Sequence, residues 1–184
     1  MKLSRTFICA VLAIGISSPA IRGQQKPAPS PNPVSQSIRD TWEGAKRNIK
    51  ESAGQMADAD YSFKPTDSVR TFGQILAHLA GASYVYCSAA KGEKTPHEED
   101  DFEKTATTKA QIVKVLDDSI AYCDTAYAAL TDRTAAEVVP MAFGGKDAAR
   151  ASALIGNVGH YQEHYGNLVT YFRIKGMVPP SSRR

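Results

Sequence analysis

Apolar residues recur at intervals of three and four positions along four long segments of the chain, and this spacing predicts amphipathic helices. One face of the first helix, which should be about 20 residues long, carries Ile38, Trp42, Ala45, Ile49, Ala53 and Met56. The second helix is expected to begin at Thr71 and to end at Lys91 and Gly92, a basic residue followed by a glycine stop. Between the two helices, Pro65 disfavours helix at the residue before it.

The third and fourth helices also have recognisable ends. The third helix is expected to open at Thr107 or Thr108, and Thr108 is followed three residues later by a glutamine, as in a capping box. The fourth helix is expected to open near Asp147, a favoured capping residue, and to stop at Lys175 and Gly176. The connection at residues 131–146 has no pattern that decides between a short strand and an irregular crossing. Four long amphipathic helices without a clear strand predict an all-α four-helix bundle.

The first residues of the chain carry a different pattern. Lys2 and Arg5 precede an apolar run at residues 7–16, and small residues follow, which is typical of a secretory signal peptide. The run is shorter than the roughly 20 apolar residues that cross a membrane, and an uncleaved anchor is the alternative. Four prolines within residues 24–33 then predict an extended linker.

These features divide the chain into four parts. We expect a signal peptide at residues 1–23, a Pro-rich linker at 24–34, a helical bundle at 35–178 and a short tail at 179–184. The protein is then exported, to the periplasm or the extracellular space, and is not stably inserted in a membrane after the signal is cleaved.

Removal of the signal peptide changes the charge balance. The whole chain has 22 basic and 19 acidic residues, and the loss of Lys2, Arg5 and Arg22 leaves 19 of each. No long basic stripe remains, and phosphate binding needs clustered Lys and Arg. Nucleic acid is therefore not an expected partner.

Two cysteines, Cys87 and Cys123, remain in the expected mature chain. Export permits a disulfide between them. Both also lie in apolar helical patterns, where buried free thiols are equally common. We favour the free thiols and leave the pairing open.

Three of the four histidines lie on predicted helices. His160 and His164 are separated by four residues, so both side chains lie on one helix face and can bind one metal ion from the same side. The helical His pair of zinc proteases has a glutamate after the first histidine, and Tyr161 stands there instead. The alternative is a pair of ordinary polar positions on the flank of a helix.

His78 lies near the boundary of the apolar stripe of the second helix. It is either a hydrogen-bonded core residue or a third ligand, since facing helices of a bundle can each supply ligands. Three histidines would leave a fourth position for water or substrate, the pattern of a catalytic site. His97 lies in a charged stretch, residues 93–104, for which we predict a solvated loop without a functional role.

Three stretches of the chain resemble the DinB/YfiT-like superfamily, and together they extend over roughly residues 35–182. The stretch WEGAKRNIKESAGQMADADYSFKP of this chain resembles the first helix of the family and the loop after it. YSFKPTDSVRTFGQILAHLAG resembles the region before and through the family's second helix, and HYQEHYGNLVTYFRIKGMVPPSS resembles its fourth helix and exit. Each stretch is short, but their order, their spacing and the way they end all agree with the family pattern.

The resemblance implies a fold and a metal site. Members are four-helix bundles in an up-down-down-up arrangement, they often dimerise, and many hold one divalent metal on three histidines. Matched residue by residue, the ligand of the second helix is His78 and those of the fourth helix are His160 and His164. The implied metal is zinc or nickel, with iron or manganese as alternatives. The family often has His-Arg-Gly-Gln starting at the second ligand of the fourth helix, where this chain has His164-Tyr165-Gly166-Asn167. The lost arginine and the shorter amide Asn167 put any role of those neighbours in doubt.

The resemblance also implies a chemistry, because characterised relatives include thiol S-transferases and a thiol-dependent isomerase. We therefore expect an exported, metal-dependent transferase or hydrolase acting on small molecules, as a homodimer. The alternative is a metal- or ligand-binding bundle without turnover, present as a stress-associated dimer. No catalytic residue is assigned: Glu163 points about 100° away from His164 on the helix, and Tyr161 and Tyr165 are expected in the core or on a dimer face.

Overall fold

The computed structural model describes residues 30–141 and 144–183. The predicted signal peptide and most of the predicted linker lie outside these residues. The four long helices are α1 (Pro33–Gln55), α2 (Phe72–Lys91), α4 (Lys109–Ala129) and α6 (Arg150–Ile174). The shorter elements are α3 (Asp101–Thr105), α5 (Asp132–Ala135), β1 (Val138–Pro140), β2 (Asp147–Ala149) and the 3-10 turns Asp58–Asp60 and Pro180–Ser182.

The long helices pack around one apolar core, which confirms the predicted all-α four-helix bundle. Trp42 of α1 is almost fully buried and stacks on Tyr127 of α4, with ring centroids 4.7 Å apart. The edge of the same indole packs against Tyr161 of α6 at 4.9 Å. One aromatic cluster therefore joins three of the four helices. Within the described ranges, no helix has the length and apolar character needed to span a bilayer.

Helices α2 and α6 run antiparallel. Phe72, the first residue of α2, packs edge to face against Phe172 near the end of α6, at 5.6 Å. At the opposite end Arg150, the first residue of α6, donates a hydrogen bond to the carbonyl of Ala90. The early turns of α2, which carry His78, therefore face the middle of α6.

Helices α1 and α4 also run antiparallel. Lys109, the first residue of α4, donates to the carbonyl of Met56, just beyond the end of α1, at 2.8 Å. Arg39 near the start of α1 donates to the carbonyl of Leu130, which follows the end of α4, at 2.6 Å.

Helices α2 and α4 run parallel and are joined by a disulfide. Gly73 lies beside Ile112 near the start of both helices. Further along, Cys87 and Cys123 are bonded to each other, with their Cα atoms 5.3 Å apart, and neither is exposed. Our preference for free thiols was wrong, because the parallel packing of the two helices brings these positions together. If α1 is taken as pointing up, α2 and α4 point down and α6 points up.

The capping predictions succeed for α2 and α4. Thr71 and Thr108 each form a capping box with the glutamine three residues later. The stop after α2 is also confirmed, because Gly92 has a φ of 72°, a left-handed conformation that glycine adopts without steric cost.

The predicted opening of the fourth helix is wrong. Asp147 belongs to β2, and α6 begins at Arg150 after an uncapped Ala149. The undecided connection contains β1, which pairs antiparallel with β2 just beyond it, so that Val139 is the partner of Ala148 and Pro140 that of Asp147. Strand pairing therefore takes the residue that would otherwise have capped the helix.

The charged stretch at residues 93–104, called the acidic segment below, is not a freely solvated loop. It contains most of α3, and its backbone lies directly on α2 at Gly81. A Cβ atom added to Gly81 would overlap the carbonyl oxygen of Glu99 and would lie 2.9 Å from that of Glu98. The absence of a side chain at this glycine thus lets the acidic segment approach the helix one turn after His78.

The Gly81→Ala substitution is expected to displace the acidic segment and to lower the free energy of unfolding by about 1–3 kcal/mol, the usual cost of overpacking. The neighbour that must move is backbone, which yields less readily than the end of a side chain. Urea unfolding and hydrogen exchange of residues 93–104 would measure both effects. Gly44→Ala is the matched control: Gly44 lies in α1 with nothing near its added Cβ, so it should raise stability by up to about 1 kcal/mol. Equal stability and equal hydrogen exchange in the two variants would contradict the contact between Gly81 and the acidic segment.

Candidate metal centre

The three predicted histidines converge between α2 and α6, and we call His78, His160 and His164 the histidine centre. The Nε2 atom of His160 lies 3.1 Å from Nε2 of His78 and 3.0 Å from Nε2 of His164. His78 and His164 are buried, with 5% and 7% of their surface exposed. The antiparallel packing of α2 on α6 produces this arrangement, since it sets an early turn of one helix against the middle of the other.

The spacing of these nitrogens suits one metal ion. Tetrahedral zinc binds imidazole nitrogen at about 2.0–2.1 Å, which places neighbouring ligand nitrogens about 3.3 Å apart. The two distances from Nε2 of His160 fall slightly inside that separation, and the ligand atoms of all three histidines lie within 4.8 Å of one another. The Nδ1 atom of His160 is buried and has no hydrogen-bond partner. The group could therefore hold a metal ion, and the donor set does not fix which metal.

Burial keeps two of the imidazoles neutral. It lowers the pKa of His160 to about 3, assisted by the charges of His164, His78 and Arg70. Burial also lowers the pKa of His164 to about 4, with the charges of His78 and Arg70 adding to the effect. Neutral imidazoles have a free lone pair, which is the form that a metal binds.

His78 is oriented by carboxylates of the acidic segment. Its Nδ1 atom lies 3.1 Å from Oε1 of Glu103 and 3.4 Å from Oδ1 of Asp100. Glu103 is largely buried and accepts hydrogen bonds from Nε of Arg70 at 3.0 and 3.1 Å. A histidine that donates Nδ1–H to a carboxylate presents its Nε2 lone pair to the metal. The hydrogen bond between Nδ1 of His78 and Oδ1 of Asp100 therefore favours the tautomer that ligation requires, and the carboxylate of Glu103, held by Arg70, lies beside it.

The neighbour of His164 keeps a role despite the shorter amide. The side-chain amide of Asn167 lies 3.3 Å from Nδ1 of His164. With its carbonyl oxygen turned toward the ring, it would accept Nδ1–H and orient the imidazole. The difference from the family pattern thus does not remove the contact.

A cavity of about 540 Å³ lies directly beside His164. Its polar wall includes Arg70, Glu163 and Asn167, and its apolar wall includes Val69 and Ile75. A cavity of this size accommodates a small molecule. Glu163 lines the cavity although it points away from the histidine centre, in keeping with its expected position on the helix.

The remaining candidate residues lie away from the centre. Tyr161 is fully buried in the core as expected, and the hydroxyl of Tyr165 donates to Ser181 at 2.9 Å. His97 packs against Tyr84 and Phe102, each with ring centroids 4.7 Å away, and takes no part in the site.

The contribution of the acidic segment was not predicted from the sequence. Its carboxylates look like an ordinary solvated charge run, and the motif that carries the family resemblance ends at Gly81. The usable signal was the glycine itself, placed three residues after His78 and able to admit another backbone.

The metal-free protein is expected to lose stability as the pH falls from about 6.5 toward 4. The native pKa values of His160 and His164 are about 3 and about 4, below their ordinary value of 6.5. The unfolded chain therefore binds more protons than the native one in this window, and linkage makes the free energy of unfolding decrease as the pH falls. Urea unfolding in the presence of a chelator at several pH values would measure this pH dependence of the free energy of unfolding. The His160→Gln/His164→Gln double variant should show a shallower dependence, and equal slopes would contradict the prediction.

Comparison with known proteins agrees with this architecture. The sequence profile of the DinB superfamily matches residues 41–168. No sequence among curated proteins is significantly similar to this chain. A DinB-like protein of Bacillus cereus ATCC 10987 shares the fold with a TM-score of 0.65 and 15% identity, over 79% of this chain and 95% of that one. A DinB-like protein of Bacillus subtilis is similar with a TM-score of 0.60 and 20% identity, over 80% and 99% of the two chains.

An enzyme is among the similar structures. The mycothiol-dependent maleylpyruvate isomerase is 14% identical, with a TM-score of 0.61 over 73% of this chain, and the match spans 60% of that enzyme. At such identities the likeness shows the fold alone. The profile match covers most of the chain and includes all three histidines, and it confirms the resemblance: this protein belongs to the DinB superfamily.

Proposed function

We propose that this protein is an exported, metal-dependent transferase or hydrolase of small molecules, with a divalent ion held by His78, His160 and His164. The observation that carries the proposal is the convergence of three Nε2 atoms from two antiparallel helices, next to a cavity of small-molecule size. Zinc or nickel suits these ligands, and iron or manganese is the alternative.

The protein's own residues would prepare the site in two ways. Burial keeps His160 and His164 unprotonated, and a hydrogen bond with Asp100, beside Glu103 and Arg70, orients the ring of His78. When bound, the ion would supply Lewis acidity, which lowers the pKa of a coordinated water or thiol. The cavity beside His164 would orient the substrate, with Arg70 and Glu163 as charged contacts.

The transferase version of the proposal is a thiol addition or substitution. In the substitution, the sulfur of a low-molecular-weight thiol forms a bond to an electrophilic carbon, the bond from that carbon to its leaving group breaks, and the thiol proton departs with that group. The similarity to a thiol-dependent isomerase supports this chemistry as a candidate. In the hydrolase version water takes the place of the thiol.

Export is part of the proposal. The signal-like pattern of residues 1–23 supports it, and so does the disulfide between Cys87 and Cys123, since disulfides persist in oxidising compartments. Small thiols are scarce outside the cytoplasm, which favours the hydrolase version in an exported protein.

A homodimer is also proposed. Val34 and Ile155 are large apolar residues with more than half of their surface exposed. They line an apolar groove between α1 and α6 together with Ile38 and Val158. This groove is a candidate contact surface for a second copy.

Turnover by the metal-loaded mature chain tests the function. The protein, purified without a tag or chelator, would be assayed after removal of metal and after reloading with zinc, nickel, manganese or iron(II). One substrate set pairs small thiols with electrophiles, and the other contains hydrolysable esters and amides. Metal-dependent turnover in either set supports the proposal and identifies the version. Bound metal without turnover in both sets would instead establish the non-catalytic metal-binding bundle.

A further inference from the structure

We propose that Glu99 is a fourth, displaceable ligand of the metal ion at the histidine centre. The inference rests on the proposed metal site and adds to it a residue outside the helices that supply the histidines. It assigns a role to the acidic segment, whose carboxylates surround His78.

The backbone of α2 fixes the position of Glu99. Gly81 lies one turn after His78, so both are on the same face of the helix. The carbonyl groups of Glu98 and Glu99 occupy the space that a side chain at residue 81 would fill. The acidic segment is therefore held against the helix beside the metal-facing ring.

Glu99 stands on a different side of His78 from the other two carboxylates. Asp100 and Glu103 contact Nδ1, the nitrogen that faces away from the histidine centre. Oε1 of Glu99 lies 3.4 Å from Nε2, the nitrogen that faces the other two histidines. Among the residues that the structure describes, it is the carboxylate within salt-bridge distance of that nitrogen.

This arrangement favours a cation. When His78 donates Nδ1–H to Asp100, its Nε2 atom carries a lone pair and no proton. A carboxylate oxygen 3.4 Å away then faces a second electron pair, which is unfavourable until a positive charge lies between them. Imidazole nitrogen and carboxylate oxygen are both zinc ligands, at about 2.0–2.2 Å. One ion could satisfy both groups after a rotation of the Glu99 side chain, because its oxygens do not lie within 4.8 Å of the ligand atoms of all three histidines in the structure. A carboxylate ligand would lower the net charge of the site by one.

The exposure of Glu99 indicates that the ligand can leave. About a third of its side chain is exposed (34%), against 14% for Glu103, which is fixed by Arg70. Glu99 thus lies at the rim between the histidine centre and solvent. An incoming substrate would replace the Glu99 carboxylate. The fourth coordination position of the metal would then be occupied by Glu99 in the absence of substrate and by the substrate when it binds.

Cobalt(II) binding to the full mature chain tests the inference, because cobalt reports its ligands through its visible absorption. Glu99→Gln preserves the shape of the side chain and removes its charge. Glu98→Gln, an exposed neighbour, is the matched control. Glu99→Gln is expected to bind cobalt at least about tenfold more weakly, to shift the absorption bands and to bind azide more tightly than the parent. Glu98→Gln should resemble the parent in all three measurements.

The outcomes separate this inference from the proposed function. If the parent binds cobalt and Glu99→Gln binds it with the same affinity and spectrum, the metal site at the histidine centre is supported and the ligand role of Glu99 is overturned. Weaker binding with an unchanged spectrum would also overturn it, because a carboxylate that acts only through its charge does not alter the ligand field. A parent that binds no cobalt would refute the metal site itself.

Discussion

The His164→Ala variant is expected to lose stoichiometric metal binding while it keeps its fold. Nε2 of His164 lies 3.0 Å from Nε2 of His160, which is itself 3.1 Å from that of His78. Two imidazoles bind a metal ion more weakly than three. Loss of an outer hydrogen-bond partner of a metal ligand already costs about 10–100-fold in affinity. Loss of the ligand itself should exceed that range. Competition with a chromophoric chelator and metal analysis of the purified chain would measure it.

His97→Ala is the matched control for this variant. It removes the same side chain from the same protein, but at a position where the ring packs on Tyr84 and Phe102 and lies away from the histidine centre. Its metal content should equal that of the parent. Undiminished metal content in His164→Ala would refute the centre.

Thermal unfolding provides an independent measure of the same site. An ion that binds only the native state raises the free energy of unfolding by about 2.7 kcal/mol when its concentration is 100 times Kd. For a domain of this size each kcal/mol corresponds to about 2–4 °C in Tm. The parent should therefore show a clear rise in Tm on addition of metal, and His164→Ala should show none. A rise of equal size in both would mean that the stabilising ion binds elsewhere.

The fold was predictable because its signals are local. Spacing of apolar residues defined four helices, and Thr71, Thr108 and Gly92 marked ends that depend only on neighbouring residues. The start of α6 was not predictable in this way. Asp147 has the chemistry of a cap, but pairing with Pro140 places it in a strand, and pairing depends on residues that are distant in the chain.

In the candidate site, too, some residues could be predicted from local sequence signals and others could not. Four-residue spacing identified His160 and His164 as neighbours, and the family resemblance added His78. Glu99 and Glu103 come close to His78 through the path of the acidic segment over Gly81, and Arg70 joins them through its hydrogen bonds to Glu103. A charge run has no periodicity from which such a contact follows. The ligands were therefore accessible from the sequence, whereas the groups that orient them required the packed structure.

Removal of the disulfide in the Cys87→Ala/Cys123→Ala variant is expected to lower the free energy of unfolding by about 4 kcal/mol. The two cysteines are separated by 36 residues, and the chain-entropy model gives about 4 kcal/mol for a closed loop of this length. The native state adds a smaller loss, because both side chains are buried between α2, α4 and Asn157 of α6. Urea unfolding of the parent and the variant, both with metal removed, would measure the difference.

Metal binding at saturation should survive this change, and that separates the role of the disulfide from that of the histidines. The disulfide joins α2 to α4, whereas the histidine centre lies between α2 and α6. The folded variant should therefore hold one ion per chain with an affinity close to that of the parent. If the variant is as stable as the parent, the two cysteines do not form the disulfide in solution, and the strongest structural support for export is lost. If it is less stable as expected, the disulfide supplies a large fraction of the roughly 5–15 kcal/mol that is typical of the free energy of unfolding of a native protein. Such a dependence on an oxidising compartment would support the proposed export.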